Sequence, residues 1–359
     1  TDGAGGAIVA WRDMRNYLTD FVNLLDVYVQ RITAGGMTAP GWPADGVPVC
    51  TNPHMQNAVA VTTDDAGGAY IVWQDNRDYF VGVHRNDLYL QRVTANGSIP
   101  IGWTIDGVPV CTAAGEQVKP KLAPDGEGGV YVVWEDTRRD LAFDPRQRDV
   151  YAQRMTADGT IESGWPLDGL PVSTAPGEKV NISLLPDGSG GVFMVWIDGR
   201  DGVGDLYGQR ILADGSVPPG WVADGSPIAI APGYQRTTPL PSTLTPDGDG
   251  GFIVAWDDLR GADFDIYAQR MTASGAVATG WPANGIPVCT AIDDQQYPQL
   301  ISDGAGGAII GWVDYRNYSA TASDLYAQRV LANGQIAPGW PVDGVPIGRS
   351  DFFEDGEMA

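Results

Sequence analysis

The chain has 359 residues, 45 of them acidic and 22 basic, for a formal net charge of −23. That charge repels nucleic acid and anionic membrane surfaces, and no run of about 18 apolar residues is present to span a bilayer. With 48 glycines and 26 prolines, yet 43 % hydrophobic residues, the chain is neither helical nor disordered. No leader heads the sequence, so Thr1 is expected to be a processed or trimmed boundary.

The elements follow one order, repeated six times. Five units open on an Asp-Gly-x-Gly-Gly turn, as at Asp2 to Gly6, and the second on Asp64-Asp65-Ala66-Gly67-Gly68, where glycines accept positive φ. An apolar, β-branched strand follows and ends in Trp-x-Asp-x-Arg: Trp11-Asp13-Arg15, Trp73-Asp75-Arg77, Trp134-Asp136-Arg138, Trp196-Asp198-Arg200, Trp256-Asp258-Arg260 and Trp312-Asp314-Arg316. Next comes an alternating strand, Asp-[Leu/Val/Ile]-Tyr-x-Gln-Arg, starting at Asp26, Asp87, Asp149, Asp205, Asp265 and Asp324. An Ala-x-Gly turn and a Gly-Trp pair lead to a short strand such as Val47-Pro48-Val49-Cys50, whose proline suits a sheet edge. A fourth run, such as Tyr297 to Ile301, enters the next unit.

Six units of four antiparallel strands predict an all-β fold, a six-bladed β-propeller. The expected blades are approximately 1–51, 52–112, 113–174, 175–230, 231–290 and 291–348, forming one domain. The first unit lacks its leading strand, and residues 349–359 are expected to supply it and close the ring.

These repeats resemble those of uncharacterised propeller-type secreted and surface proteins of bacteria, some of which carry C-terminal sorting domains. The resemblance rests on the Asp-Gly-x-Gly-Gly, Trp-x-Asp-x-Arg, Asp-[Leu/Ile/Val]-Tyr-x-Gln-Arg and Gly-Trp elements and covers about the whole chain. It implies an extracellular or cell-surface setting and no defined activity.

Within a unit, Asp13, Arg15, Asp26 and Arg31 are expected to form a charge-assisted bracket between strands, repeated in every blade. A catalytic centre seldom occurs in six copies, so these residues read as structural, as do the tryptophans. The turns, most nearly Asp247-Gly248-Asp249-Gly250-Gly251, offer few oxygens for calcium, so no cofactor or metal is expected beyond weak calcium binding. Cys50, Cys111 and Cys289 occupy equivalent places in separate units, too far apart for a disulfide.

Ligand information should lie where the repeats differ. The segment after the motif arginine is long in the first three units and short in the fourth and fifth. Tyr17, Tyr79 and Tyr318, with Phe80, His84 and Arg85, are candidates for an aromatic crescent. Gln56, Gln117, Gln235 and Gln295 are candidates at a channel mouth. The expected function is a non-catalytic extracellular scaffold that presents this rim to a protein or glycan partner. The alternatives are a lectin-like carbohydrate binder and a glycoside-active enzyme with carboxylates at the channel mouth.

Overall fold

The computed structural model describes residues 1–16, 25–78, 84–139, 147–237, 243–318 and 322–348, with His84 and Arg85 described in backbone only. Tyr17, Tyr79, Phe80 and the expected closing segment 349–359 lie outside them. Every element with described bounds is a β-strand. Among the described residues no helix is long and apolar enough to cross a membrane.

The chain divides into two compact units. The first comprises Thr1–Thr174 with Ser189–Val192 and Leu212–Ser216. Its first repeat is a three-stranded sheet of β1 (Ala7–Asp13), β2 (Asp26–Ile32) and β3 (Val47–Cys50). The second repeat supplies β4 (Gln56–Thr63), β5 (Ala69–Asp75), β6 (His84–Val93) and β7 (Val108–Cys111). The third supplies β8 (Gly115–Pro124), β9 (Val130–Asp136), β10 (Asp149–Met155) and β11 (Leu170–Ser173), and a short parallel pairing of β6 with β8 joins the two repeats in one sheet.

The second compact unit comprises Ala175–Gly188, Phe193–Ile211 and Val217–Ala359. Its first sheet is formed by β12 (Lys179–Pro186), β13 (Val192–Asp198), β14 (Asp205–Ile211) and β15 (Ser226–Ala229). In the next sheet the leading strand is split into β16 (Gln235–Arg236) and β17 (Leu244–Pro246), before β18 (Phe252–Asp258), β19 (Asp265–Met271) and β20 (Ile286–Cys289). The last is β21 (Gln295–Ser302), β22 (Ala308–Asp314), β23 (Asp324–Val330) and β24 (Val345–Gly348).

Register explains the repeated motifs. Trp11 faces Tyr28 and Asp13 faces Asp26 across β1 and β2, and the same pairing recurs as Trp73 with Tyr89 and Trp134 with Tyr151. Both faces of the strand that carries Trp-x-Asp are buried, as in β9 and β18, except in the first repeat, where β1 is exposed to half-buried. The prolines of β3, β7 and β20 are exposed on edge strands, where no N–H is needed. Cores form between neighbouring repeats: Trp42, Val47 and Cys50 pack with Ile71, Trp73 and Val93 of the next repeat.

The charged bracket is confirmed in one half and corrected in the other. Asp75 accepts Trp73 Nε1 at 2.8 Å and Arg77 Nη2 at 2.6 Å, and the guanidinium lies 3.6 Å over the Tyr89 ring. All six motifs make this clamp. The second arginine goes elsewhere: Arg31 pairs with Asp2 of the turn at 2.9 Å, and Arg154 with Asp125 at 2.8 Å. Asp26 and Arg31 sit at opposite ends of β2, about 17 Å apart along the strand, so they cannot share a bracket. The turn aspartates are consequently engaged at both oxygens. Asp247 accepts Asp249 N and Gly251 N at 2.8 Å on Oδ1 and Arg270 at 2.8 Å on Oδ2.

The Gly-Trp tryptophans stitch repeats together. Trp42 Nε1 donates to Ala95 O at 3.0 Å, and Trp221 Nε1 to Ala273 O at 3.0 Å. The three cysteines are buried and unbonded to one another.

Candidate functional site

Strand alternation puts Trp and Asp of Trp-x-Asp on one face and the residue between them on the other. The clamp therefore leaves that middle slot unconstrained. Its six occupants differ: Arg12, Gln74, Glu135, Ile197, Asp257 and Val313. Opposite it, the leading strands of the second, third and sixth repeats carry a bulge. The register slips between Asn57 and Ala60, Val118 and Lys121, and Gln296 and Gln299. Ala58, Lys119 and Tyr297 within them, and Asn181 of the fourth repeat, hold positive φ. Bulges of this kind re-aim side chains.

The slot residue of one repeat engages the bulge of the next. Gln74 Oε1 accepts Lys119 N at 3.0 Å, Asp257 Oδ1 accepts Tyr297 N at 2.9 Å, and Arg12 Nη1 donates to Asn57 Oδ1 at 3.1 Å.

Two slots carry ionisable clusters. In the first compact unit, buried Glu135 is 3.2 Å from Lys119 Nζ and 2.6 Å from Arg148 Nη1. Burial pushes the neighbouring Lys121 down, with Glu135 opposing the shift.

The second compact unit holds the more reactive arrangement. Asp257 faces Arg236 across β16 and β18. Arg236 Nε donates to Asp257 Oδ2 at 2.9 Å, and Nη2 lies 2.8 Å from the same oxygen. Asp257 is fully buried, and burial pushes its carboxyl up to about 7 against the opposing pull of Arg236. The Arg236 side chain is 27 % exposed. Its guanidinium lies 4.4 Å from the Phe264 ring centroid and 5.7 Å from that of Tyr297. Asp294 fixes Phe264 by accepting its N–H at 3.0 Å. Tyr297 is 42 % exposed. Tyr234, also part-exposed, rests against Gly204, where an added Cβ would meet its ring at 2.0 Å. Burial raises the Tyr234 phenol, with Arg236 opposing. An arginine ringed by aromatics suits a sugar that bears an anionic group.

The residues expected from sequence fall differently. Tyr318 is exposed and packs on Tyr315 with ring centroids 6.1 Å apart; its crescent partners lie outside the described residues or are described in backbone only. Gln56, Gln117, Gln235 and Gln295 are fully buried at the starts of the leading strands. Gln56, Gln235 and Gln295 each donate Nε2 to loop carbonyls. Arg236, Asp257, Phe264 and Tyr297 were missed. Only Asp257 left a signal, as the occupant of a variable position in the repeated Trp-x-Asp-x-Arg motif.

No protein-family model and no curated protein matches the chain. Among solved structures, it is similar to a polysaccharide lyase of family PL25, an ulvan lyase bound to -[GlcA(1-4)Rha3S]-. That match has 11 % identity, covers 97 % of this chain and 83 % of the other, and has a TM-score of 0.53. A second structure of a PL25 ulvan lyase matches with the same identity and coverage and a TM-score of 0.54. An endo-arabinase from Bacteroides thetaiotaomicron matches at 14 % identity over 87 % of this chain and 99 % of the other, with a TM-score of 0.36, too low to carry any argument. The likeness supports a β-propeller-like, all-β fold. It also corrects the expectation of a non-catalytic scaffold, because the architecture is shared with an enzyme that cleaves a polysaccharide. The glycoside-active alternative is the reading carried forward.

Proposed function

We propose that this protein cleaves an acidic polysaccharide, with Arg236 binding the acidic group of one sugar and Tyr297 handling the proton. The observation that supports this is part-exposed Arg236, held by buried Asp257 and flanked by Phe264 and Tyr297. In an eliminative cleavage, the C5–H bond and the C4–O bond break while a C4–C5 double bond forms. Arg236 neutralises the carboxylate as charge develops on it. The Tyr297 side chain, as its phenolate, takes the C5 proton and then delivers it to the departing oxygen as the C4–O bond breaks. Asp257 is a positioning residue: it touches Arg236 and the Tyr297 main chain.

The finer fold reading belongs to this proposal: six repeats as six blades, with a glycan partner outside the cell. The test is incubation with a polymer of the -[GlcA(1-4)Rha3S]- repeat, with other uronate polysaccharides and with neutral arabinan. The expected result is new ultraviolet absorbance from unsaturated uronate with the acidic polymers alone. Absence of chain cleavage across the acidic panel would overturn the proposal.

A further inference from the structure

In the third repeat, three neighbouring strands direct charge at one buried carboxylate. Across β8 and β9, Glu135 faces Val118 and Val133 faces Lys121. Residues two apart on a strand share a face, so Lys121 and Glu135 lie on the same side of the sheet. On its other flank Glu135 faces Val150 of β10, and Arg148 stands two residues before that valine. Lys119 enters from the β8 bulge, at a φ of 52°, with its main-chain N–H donating to Gln74 Oε1 of the preceding repeat at 3.0 Å. Lys119 Nζ donates to Glu135 Oε1 at 3.2 Å, and Arg148 Nη1 to Glu135 Oε2 at 2.6 Å. Burial pushes the Lys121 ammonium down, Glu135 draws it up and Lys119 pushes it down further, so the three groups act on one another.

These four side chains carry three positive charges and one negative. The chain has only three lysines, and two of them stand here, in a protein of net charge −23. Exposure gives the cluster a direction: the Glu135 side chain is 1 % exposed, Arg148 27 % and Lys119 49 %. The carboxylate is the floor and the cations are the rim. Lys119 uses one ammonium donor on Glu135 and directs others to solvent. The variable slot is acidic in one other repeat, at Asp257, and there too a leading-strand cation, Arg236, covers it. The third repeat gathers more positive charge over its acid than the fifth.

We propose that Lys119, Lys121 and Arg148 bind a tetrahedral oxyanion of the sulfate class, with Glu135 as the positioning residue beneath them. Such an anion accepts hydrogen bonds on several oxygens at once, which suits donors arriving from three strands. A planar carboxylate suits the single guanidinium fork of Arg236. The sulfate group comes either from a sulfate ester on a glycan or from a free inorganic anion. The site stands on its own residues and does not rest on the cleavage reading.

The test is calorimetric titration of the full chain with dextran sulfate, neutral dextran and inorganic sulfate at constant ionic strength. A chain of net charge −23 repels polyanions in general, so capture of dextran sulfate requires a local positive site. Dextran sulfate is expected to bind and dextran is not. The Lys119→Gln/Lys121→Gln double variant should weaken binding about tenfold or more, and Arg236→Ala should leave it unchanged. Tighter binding of dextran sulfate, per sulfate group, assigns the site to a glycan-borne ester; equal or tighter binding of inorganic sulfate assigns it to the free anion. Circular dichroism verifies folding, and Lys119→Gln alone, a change at an exposed side chain, carries the same test if the double variant does not fold. Absence of binding by either anion, or wild-type affinity in the lysine variants, would overturn the proposal. So would loss of binding in Arg236→Ala alone, which would place the anion at Arg236.

Discussion

Asp257 and Tyr297 belong to successive repeats, and the Asp257 carboxylate accepts the Tyr297 main-chain N–H at 2.9 Å. Its other oxygen holds Arg236. One buried carboxyl thus sets both the guanidinium and the positive-φ bulge that presents the phenol. Arg236→Ala is expected to lower cleavage of the acidic polymer by about 100-fold or more. Arg236→Lys should restore only part, because an ammonium cannot reproduce the planar fork. Initial rates of unsaturated-uronate formation, with melting curves as the folding control, provide the measurement. Unchanged rates in Arg236→Ala would remove Arg236 from the site.

Gly204→Ala tests the aromatic wall. The new methyl would fall 2.0 Å from the Tyr234 ring, 2.9 Å from Ile197 and well inside contact distance of both. Displacement of Tyr234 is the expected outcome. It should appear as a raised KM for the acidic polymer with kcat changed less than threefold or so, since the wall contributes binding more than chemistry. A fall in kcat at constant KM would argue against this role.

The Asp257 carboxyl makes stability depend on pH in a stated direction. Its unfolded value is 3.8 and its folded value about 7. Between those values the folded chain holds a proton that the unfolded chain has released. Unfolding free energy therefore falls as pH rises through this window and levels off above about 7. Asp257→Asn should lack that contribution. The difference between the two urea-denaturation profiles isolates it from other titrating groups, and a difference that is flat from pH 4 to 7 would contradict the assignment.

The repeated clamp carries stability instead of chemistry. Asp136→Ala leaves the Trp134 indole N–H and the Arg138 guanidinium, bonded to it at 2.7 and 2.6 Å, without their acceptor. A loss of about 3–5 kcal/mol is expected from urea denaturation. A loss below about 1 kcal/mol would place the stability of this repeat elsewhere.

Tyr318 of the expected crescent supports a separate experiment. It is exposed, and we propose that it serves as an outlying glycan contact. Alanine at Tyr318 should weaken polymer binding about tenfold with folding retained, by loss of stacking. Equal affinity for wild type and variant would dismiss it.

Much of the fold was legible because repetition multiplies weak signals. One Trp-x-Asp-x-Arg is uninformative; six of them at intervals of 56–62 residues demand one supersecondary unit. Edge strands were readable from Pro48, Pro109 and Pro287, and turns from their glycines. The partner of Arg31 was misread because residues near in sequence were taken as near in space. Asp2, 29 residues away, is brought to it by the pairing of β1 with β2.

Sequence alone determined what local chemistry enforces: the strands, their turns, the Asp–Arg pairing within the repeated motif and the count of repeats. Tertiary structure decided which non-repeated residues meet. Arg236 and Asp257 lie 21 positions apart, and Tyr297 a further 40. Their convergence depends on strand register, on a one-residue bulge and on the stacking of one repeat against the next. Long-range geometry of that kind leaves no periodic trace in the chain. Its only mark was a slot that the clamp had no reason to constrain.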